Sequence, residues 1–177
     1  MYHARLIVAL GFIVMGIWSR FIPHPPNVTA LNAIALFSAV QIGTLGHPLA
    51  VLFITLLLSD LFLGFHATMP FVYLSFVLTA AMGYWARRKR QSRWFPVCVA
   101  VSSILFFVFS NFGVWMLEGT YPHTFQGLLL CYTAALPFLL NQLLGDGLYG
   151  IFIFGTFALI EKITSRIESL DRNDPVC

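Results

Sequence analysis

Charge is scarce in this sequence. Only 10% of its 177 residues are Asp, Glu, Lys or Arg, against about 25% in a water-soluble domain, so there is too little polar surface to clothe a globule of this size. Cysteine is sparse as well: Cys98, Cys131 and Cys177 lie far apart and fit neither CxxC nor a zinc spacing. A disulfide framework and a metal knuckle are thereby excluded. The chain contains no GxxxxGK[ST], HExxH or GxSxG, which removes Walker-type ATP hydrolysis and the commonest hydrolase motifs. The reading is therefore of a protein that is not an enzyme and has no cofactor and no metal of its own. His24, His47, His66 and His123 fall in connections and contain no i, i+4 pair. A triad assembled from His24, His66 and His123 is the one metal arrangement the loops would permit, and none is assigned.

What is abundant is apolar: 59% of the residues are hydrophobic and the mean hydropathy is +0.84. At about 20 residues per span, the length allows six or seven membrane crossings and no separate soluble domain. The expected fold is an all-α polytopic membrane protein in a single transmembrane domain, 1–177, with the lipid bilayer as its first partner. Half of the basic charge is packed into Arg87, Arg88, Lys89, Arg90 and Arg93. Directly after a long apolar segment, such a run marks the cytoplasmic side of a bilayer, and no nucleic acid is implied.

The first apolar run precedes Arg20-Phe21-Ile22-Pro23 in place of a small-residue cleavage site, so it reads as a retained helix and not as a signal peptide. Prolines 23, 25 and 26 then forbid helix continuation. Spans are expected at about 4–20, 28–43, 47–64, 69–86 and 94–117. The following stretch, 124–163, is too long for one crossing of a hydrocarbon core of about 30 Å. It makes either two spans, for a total of seven, or a short interfacial helix at about 124–135 followed by one span at about 137–163, for a total of six. With six spans, Arg5, the run from Arg87 to Arg93, and Lys162, Arg166 and Arg172 all fall on one side. The positive-inside bias favours that reading, with both termini cytoplasmic.

Six spans gather the polar residues at the outer end. Arg20, His24, Asn27, Asn32, Asp60, Asn111, Trp115, Tyr121 and His123 are the candidates for one outward-opening pocket, with Asn141 on the last span. An ionisable group in a membrane helix is costly unless paired or facing a polar cavity, which singles out Asp60 and Asp146. For Asp60 the competing role is an ion pair with Arg20. For Asp146, flanked by Gly145 and Gly147 with Gln142 one turn earlier, it is a hinge or helix-end hydrogen bond. The asparagines can equally serve as interhelical glue. Asn111-Phe112-Gly113-Val114-Trp115 puts an amide, a glycine and an aromatic N–H within two turns, which suits a flat, polar, ring-containing small-molecule substrate. For Trp115 the alternative is an interfacial aromatic belt with Trp18, Trp85 and Trp94.

The order of motifs is itself distinctive. Pro23-His24-Pro25-Pro26-Asn27 with Leu31-Asn32-Ala33-Ile34-Ala35, Leu58-Ser59-Asp60-Leu61, Asn111-Phe112-Gly113-Val114-Trp115, Tyr121-Pro122-His123-Thr124 and Leu136-Pro137-Phe138 resembles an uncharacterised family of bacterial inner-membrane proteins. That family in turn resembles the S-components of energy-coupling-factor transporters. The resemblance implies six helices, capture of a vitamin-like molecule from the outer face, and partners in the form of a coupling subunit and ATPases. It also implies that Leu136-Pro137-Phe138 starts the last helix after a short interfacial one. In S-components an AxxxA pattern docks on the coupling subunit; here Ala35 and Ala39 supply that spacing in the second helix. The alternative function is a structural or assembly protein whose polar groups only hold helices together.

Overall fold

The computed structural model describes residues 2–41, 44–87 and 95–173, with side chains for 7–41, 44–87 and 96–166. Arg88, Lys89, Arg90, Arg93 and Trp94 lie outside the described residues, as do Cys177 and the side chains of Arg5 and Arg172. The described chain is all-helical: α1 (Tyr2–Phe21), α2 (Leu31–Gln41), α3 (Gly46–Leu63), α4 (Met69–Arg87), α5 (Phe95–Leu117) and α6 (Phe125–Asn173).

Four stretches, Gly46–Leu63, Met69–Arg87, Pro96–Leu117 and Phe125–Arg166, are long and apolar enough to cross a membrane. Their outward faces carry large apolar side chains, with Phe62, Leu148 and Ile151 exposed by 79, 68 and 70%. A soluble monomer does not leave such a surface open, whereas hydrocarbon matches it. The helical architecture is that of a membrane protein.

The organising element is α2, the shortest helix. Its 11 residues extend about 16 Å. Every side chain from Leu31 to Ala39 is buried, and α2 packs against each of the other helices. A helix apolar all round belongs in an interior, and the alanines along α2 let neighbouring backbones come close. At the tightest point a Cβ on Gly83 of α4 would lie 2.9 Å from the Ala39 methyl and 3.1 Å from the Leu36 carbonyl oxygen. The Ala35 and Ala39 pair is therefore turned into the bundle, 0 and 1% exposed, and does not form an outer docking stripe. Further along, the Phe37 ring meets the edges of Phe12, Phe154 and Phe157 with centroids 5.3, 4.9 and 5.2 Å away, fastening α2 to α1 and α6.

The end of the chain departs from the sequence reading. In place of an interfacial helix at 124–135 and a span at 137–163, or of two full spans, residues 125–173 form one helix of 49 residues with Pro137 inside it. A proline removes one i to i−4 hydrogen bond and crowds the carbonyl of residue i−4, here Thr133. Thr133 and Pro137 both lie on the exposed side of α6, so the strained turn faces away from the packed interior and the helix continues. Membrane helices carry such prolines more readily than soluble ones. The other elements agree with the expected spans to within a few residues, except that the second helix begins at Leu31 and not at residue 28.

Candidate functional site

The C-terminal ends of α1, α3 and α5 meet the N-terminal ends of α2, α4 and α6 at one end of the bundle, and together with their connections they enclose a cavity of about 580 Å³. Helix rise separates its wall into two zones. Near the helix ends lie Arg20, His24, Asn27, His66, Glu118 and Tyr121; deeper come Leu31, Leu56, Phe76, Phe106 and Phe138, with Ser110 and Asn111 between. Gln142 is the one amide among the deeper apolar side chains.

The loop between α1 and α2 holds its shape through its prolines. Val28 N–H donates to the Pro25 carbonyl at 3.2 Å, with Pro26 and then Asn27 at the turn's centre. Asn27 has φ of 69°, the left-handed region that asparagine tolerates and that the third position of a type II turn requires. The same Pro25 carbonyl accepts from His24 Nδ1 at 2.8 Å. A carbonyl only accepts, so Nδ1 is the donor in that bond, and Nε2 is buried with no hydrogen-bond partner among the described residues. The loop lies against α6 where a Cβ on Gly145 would sit 3.0 Å from the Val28 Cα. A side chain at 145 would push the His24 and Asn27 segment away from the bundle.

Arg20 closes the last turn of α1. Its Nη1 bonds the Ser59 hydroxyl and lies 2.6 Å from Asp60 Oδ1. Asp60 is 1% exposed and its other oxygen accepts from the Tyr73 hydroxyl at 2.8 Å. Asp60 thus stands behind the cavity wall and holds Arg20 in it. A guanidinium has five N–H donors; those on Nε and Nη2 have no hydrogen bond among the described residues.

A second polar centre lies below the cavity, where four helices meet. Asp146 of α6 accepts at Oδ2 from Asn32 of α2 at 2.8 Å, Ser103 of α5 at 2.7 Å and Gln142 at 2.9 Å. Thr79 of α4 reaches the Asn32 carbonyl oxygen at 3.4 Å. Asp146 is 1% exposed and its Oδ1 has no hydrogen-bond partner.

A family model of unknown function, DUF6580, matches residues 2–169. The chain belongs to the DUF6580 family. No curated protein and no solved structure matches it. The match covers α1 to α5 and all but the last four residues of α6 of this DUF6580 member, and so the cavity as well.

Of the residues singled out in the sequence, Arg20, His24, Asn27, Asn111 and Tyr121 are brought together on the cavity wall. Five others are placed elsewhere. Asn32 is locked into the Asp146 centre and Asp60 stands behind Arg20. Trp115 donates its indole N–H to the Pro122 carbonyl at 3.0 Å, and its ring lies against His123 at 5.4 Å; both brace the connection after α5. Asn141 is half-buried, and its neighbour Gln142 takes the place on the wall. Ser110, which precedes the Asn111–Trp115 motif, joins the wall, and Glu118 and the three phenylalanines of the deep zone are additions to the sequence reading. Phenylalanine is too common in membrane helices to stand out, and an acid next to Gly119 at a helix end has the composition of an ordinary polar turn. Among the described residues no group of three His, Cys, Asp or Glu is positioned to hold a metal ion.

Proposed function

We propose that this protein is a six-span carrier resembling an energy-coupling-factor S-component. It captures a small vitamin-like molecule from the outer face of the bacterial inner membrane and passes it inward without catalysing a reaction. The observation that carries this reading is the cavity. Its volume of about 580 Å³ falls in the range of about 300–1,000 Å³ typical of small-molecule sites. An apolar, aromatic depth under a few convergent polar groups is the usual lining of such sites. A flat ring would rest among Phe76, Phe106 and Phe138 while its polar edge meets Arg20, His24 and Asn111.

The orientation follows from charge. Arg87 closes α4 at the end away from the cavity, and Lys162 and Arg166 lie near the far end of α6. Placing these in the cytoplasm turns the cavity outward and puts both termini inside. In this reading α1, whose 20 residues reach about 30 Å, crosses with the four long helices, and α2 completes the six as a short interior span. The connections 22–30, 64–68 and 118–124 would close over the ligand. Energy would come from a coupling subunit with ATPases, or from an ion or substrate gradient.

Native mass spectrometry of the detergent-purified protein, followed by a thermal-shift screen against vitamins and related heterocycles, tests the reading. A ligand at 100 times its Kd should stabilise the fold by about 2.7 kcal/mol. A retained or stabilising compound whose effect is lost in Arg20→Met supports the carrier. A clean apo spectrum and a flat panel would favour the other reading, a structural or assembly protein. The internal bonds of Asn32, Asp60 and Trp115 speak for that one.

A further inference from the structure

The cavity and the buried carboxyl beneath it share one side chain. Gln142 forms part of the cavity wall and donates its side-chain amide to Asp146 Oδ2 at 2.9 Å. Asp146 lies in a dry junction and has no cation partner among the described residues. Neither α2 nor α5, which pack against α6, carries a charged residue, and α4, which reaches the junction through Thr79, has Arg87 in its last turn as its one charged residue and Tyr84 as the phenol nearest in sequence to Thr79. The titratable groups on α5 and α6 nearest in sequence to the junction are the Cys98 thiol on α5 and the Tyr149 phenol on α6, and neither supplies positive charge. An isolated charge in such a place is neutralised from outside, by a proton or by a cation.

The hydrogen bonds choose between the two. A metal cation needs a ring of oxygens, yet Asn32 and Gln142 turn amide hydrogens towards the carboxyl, and Ser103 shares its one hydroxyl hydrogen between Asp146 at 2.7 Å and the Val99 carbonyl at 3.0 Å. All three converge on Oδ2, and Oδ1 is left with no partner. This is a cradle for the negative form, with one free oxygen on which an O–H bond can form.

The geometry points to Asp146 as a proton-binding site coupled to the cavity through Gln142, so that the ligand is carried together with a proton. It rests on the carrier reading for the ligand, but the proton site can be tested without one. With the cavity empty, three donors stabilise the carboxylate. A ligand that recruits the Gln142 amide removes one of them, and a proton from the aqueous phase then bonds to Oδ1. When the ligand leaves, the amide returns to Oδ2 and the proton is released. Loading and proton uptake are thereby linked, and the membrane proton gradient becomes an energy source within the chain's own reach.

The test is infrared spectroscopy of the full-length, ligand-free protein in liposomes, titrated with acid and base. The readout is the C=O stretch of a protonated carboxyl, identified as that of Asp146 by its loss in Asp146→Asn. Two further variants each remove one donor: Gln142→Leu, which imitates the recruited amide, and Ser103→Ala, whose side chain is away from the cavity. The band should titrate in the wild type, and its midpoint should move to higher pH by about one unit in both variants. Three results would overturn the proposal: no Asp146-dependent band at any pH at which the protein stays folded, a signal that follows sodium concentration and not pH, or a midpoint moved by Ser103→Ala but not by Gln142→Leu. A flat ligand screen with a titrating Asp146 band would overturn the carrier reading and the coupling with it, and leave the proton site standing.

Discussion

The guanidinium of Arg20 stands in the cavity wall with the carboxylate of Asp60 2.6 Å behind it. The two members of the pair are placed differently: Arg20 faces the cavity, and Asp60, sealed from it by burial and by the Tyr73 hydroxyl, fixes where the guanidinium sits. Breaking a buried pair by removing one partner costs more than removing both, because the survivor is left uncompensated.

Asp60→Ala should therefore destabilise the protein by roughly 3–5 kcal/mol, while the double variant Arg20→Met with Asp60→Leu should recover most of that loss. Thermal unfolding in one detergent measures both. Tyr73→Phe removes a hydrogen bond to a charged group and should cost about 1.5–3 kcal/mol. A double-variant loss as large as the summed losses of Arg20→Met and Asp60→Leu measured singly would show that the pair carries no coupling.

Close packing on α2 gives a second expectation. Gly83→Ala places a methyl where Ala39 and the Leu36 carbonyl already are, and should lower the melting temperature despite the better helix propensity of alanine. Gly147, with nothing within 4 Å of its Cβ position, is the control. Gly147→Ala should be neutral or stabilising by up to about 1 kcal/mol.

Trp115 braces a loop through the Pro122 carbonyl. Trp115→Phe keeps a ring but loses the indole N–H, so the connection from Glu118 to His123 should open more often at a cost of about 1 kcal/mol. Faster cleavage after Glu118, which is exposed in this connection, by a glutamate-specific protease, with unchanged cleavage elsewhere, would register it. No change in cleavage rate would mean that the hydrogen bond does not hold the loop.

Orientation can be read directly with thiol labelling. In a background without native cysteines, Thr120→Cys next to the cavity mouth should react with a membrane-impermeant maleimide in intact cells, and Ser165→Cys on α6 should react only after lysis. Both positions are exposed. The reverse pattern would turn the cavity towards the cytoplasm.

Much of this arrangement was legible in the sequence because it rests on local chemistry. The prolines around His24 announce a turn whatever surrounds them, and the spacing of apolar runs sets the helix ends. Arg20, His24, Asn27, Asn111 and Tyr121 could be grouped because alternating spans return the same end of the bundle each time. What was not legible depends on rotation or on context. Asn141 and Gln142 are adjacent, but one residue turns a helix by about 100°, and only Gln142 meets the cavity. Pro137 reads as a helix start in isolation, and it continues the helix because its crowded turn faces outward. Ser103 and Thr79 gave no signal, since hydroxyls in membrane helices usually bond their own backbone. Only Asp146 on a facing helix gives Ser103 its second role.

The unbroken course of α6 has a mechanical consequence. From Gln142 in the cavity wall to Arg166 the helix extends about 36 Å, with Asp146 and the Phe157 contact on the same shaft and no loop between them. A push delivered near Arg166 reaches Gln142 as rotation of a stiff lever pivoting on the Phe37 and Phe157 rings. Pro137, whose missing N–H interrupts the hydrogen-bond ladder of α6, lies about 8 Å beyond Gln142 on the cavity side. Displacement of the helix at one end would therefore be carried to the wall of the chamber at the other.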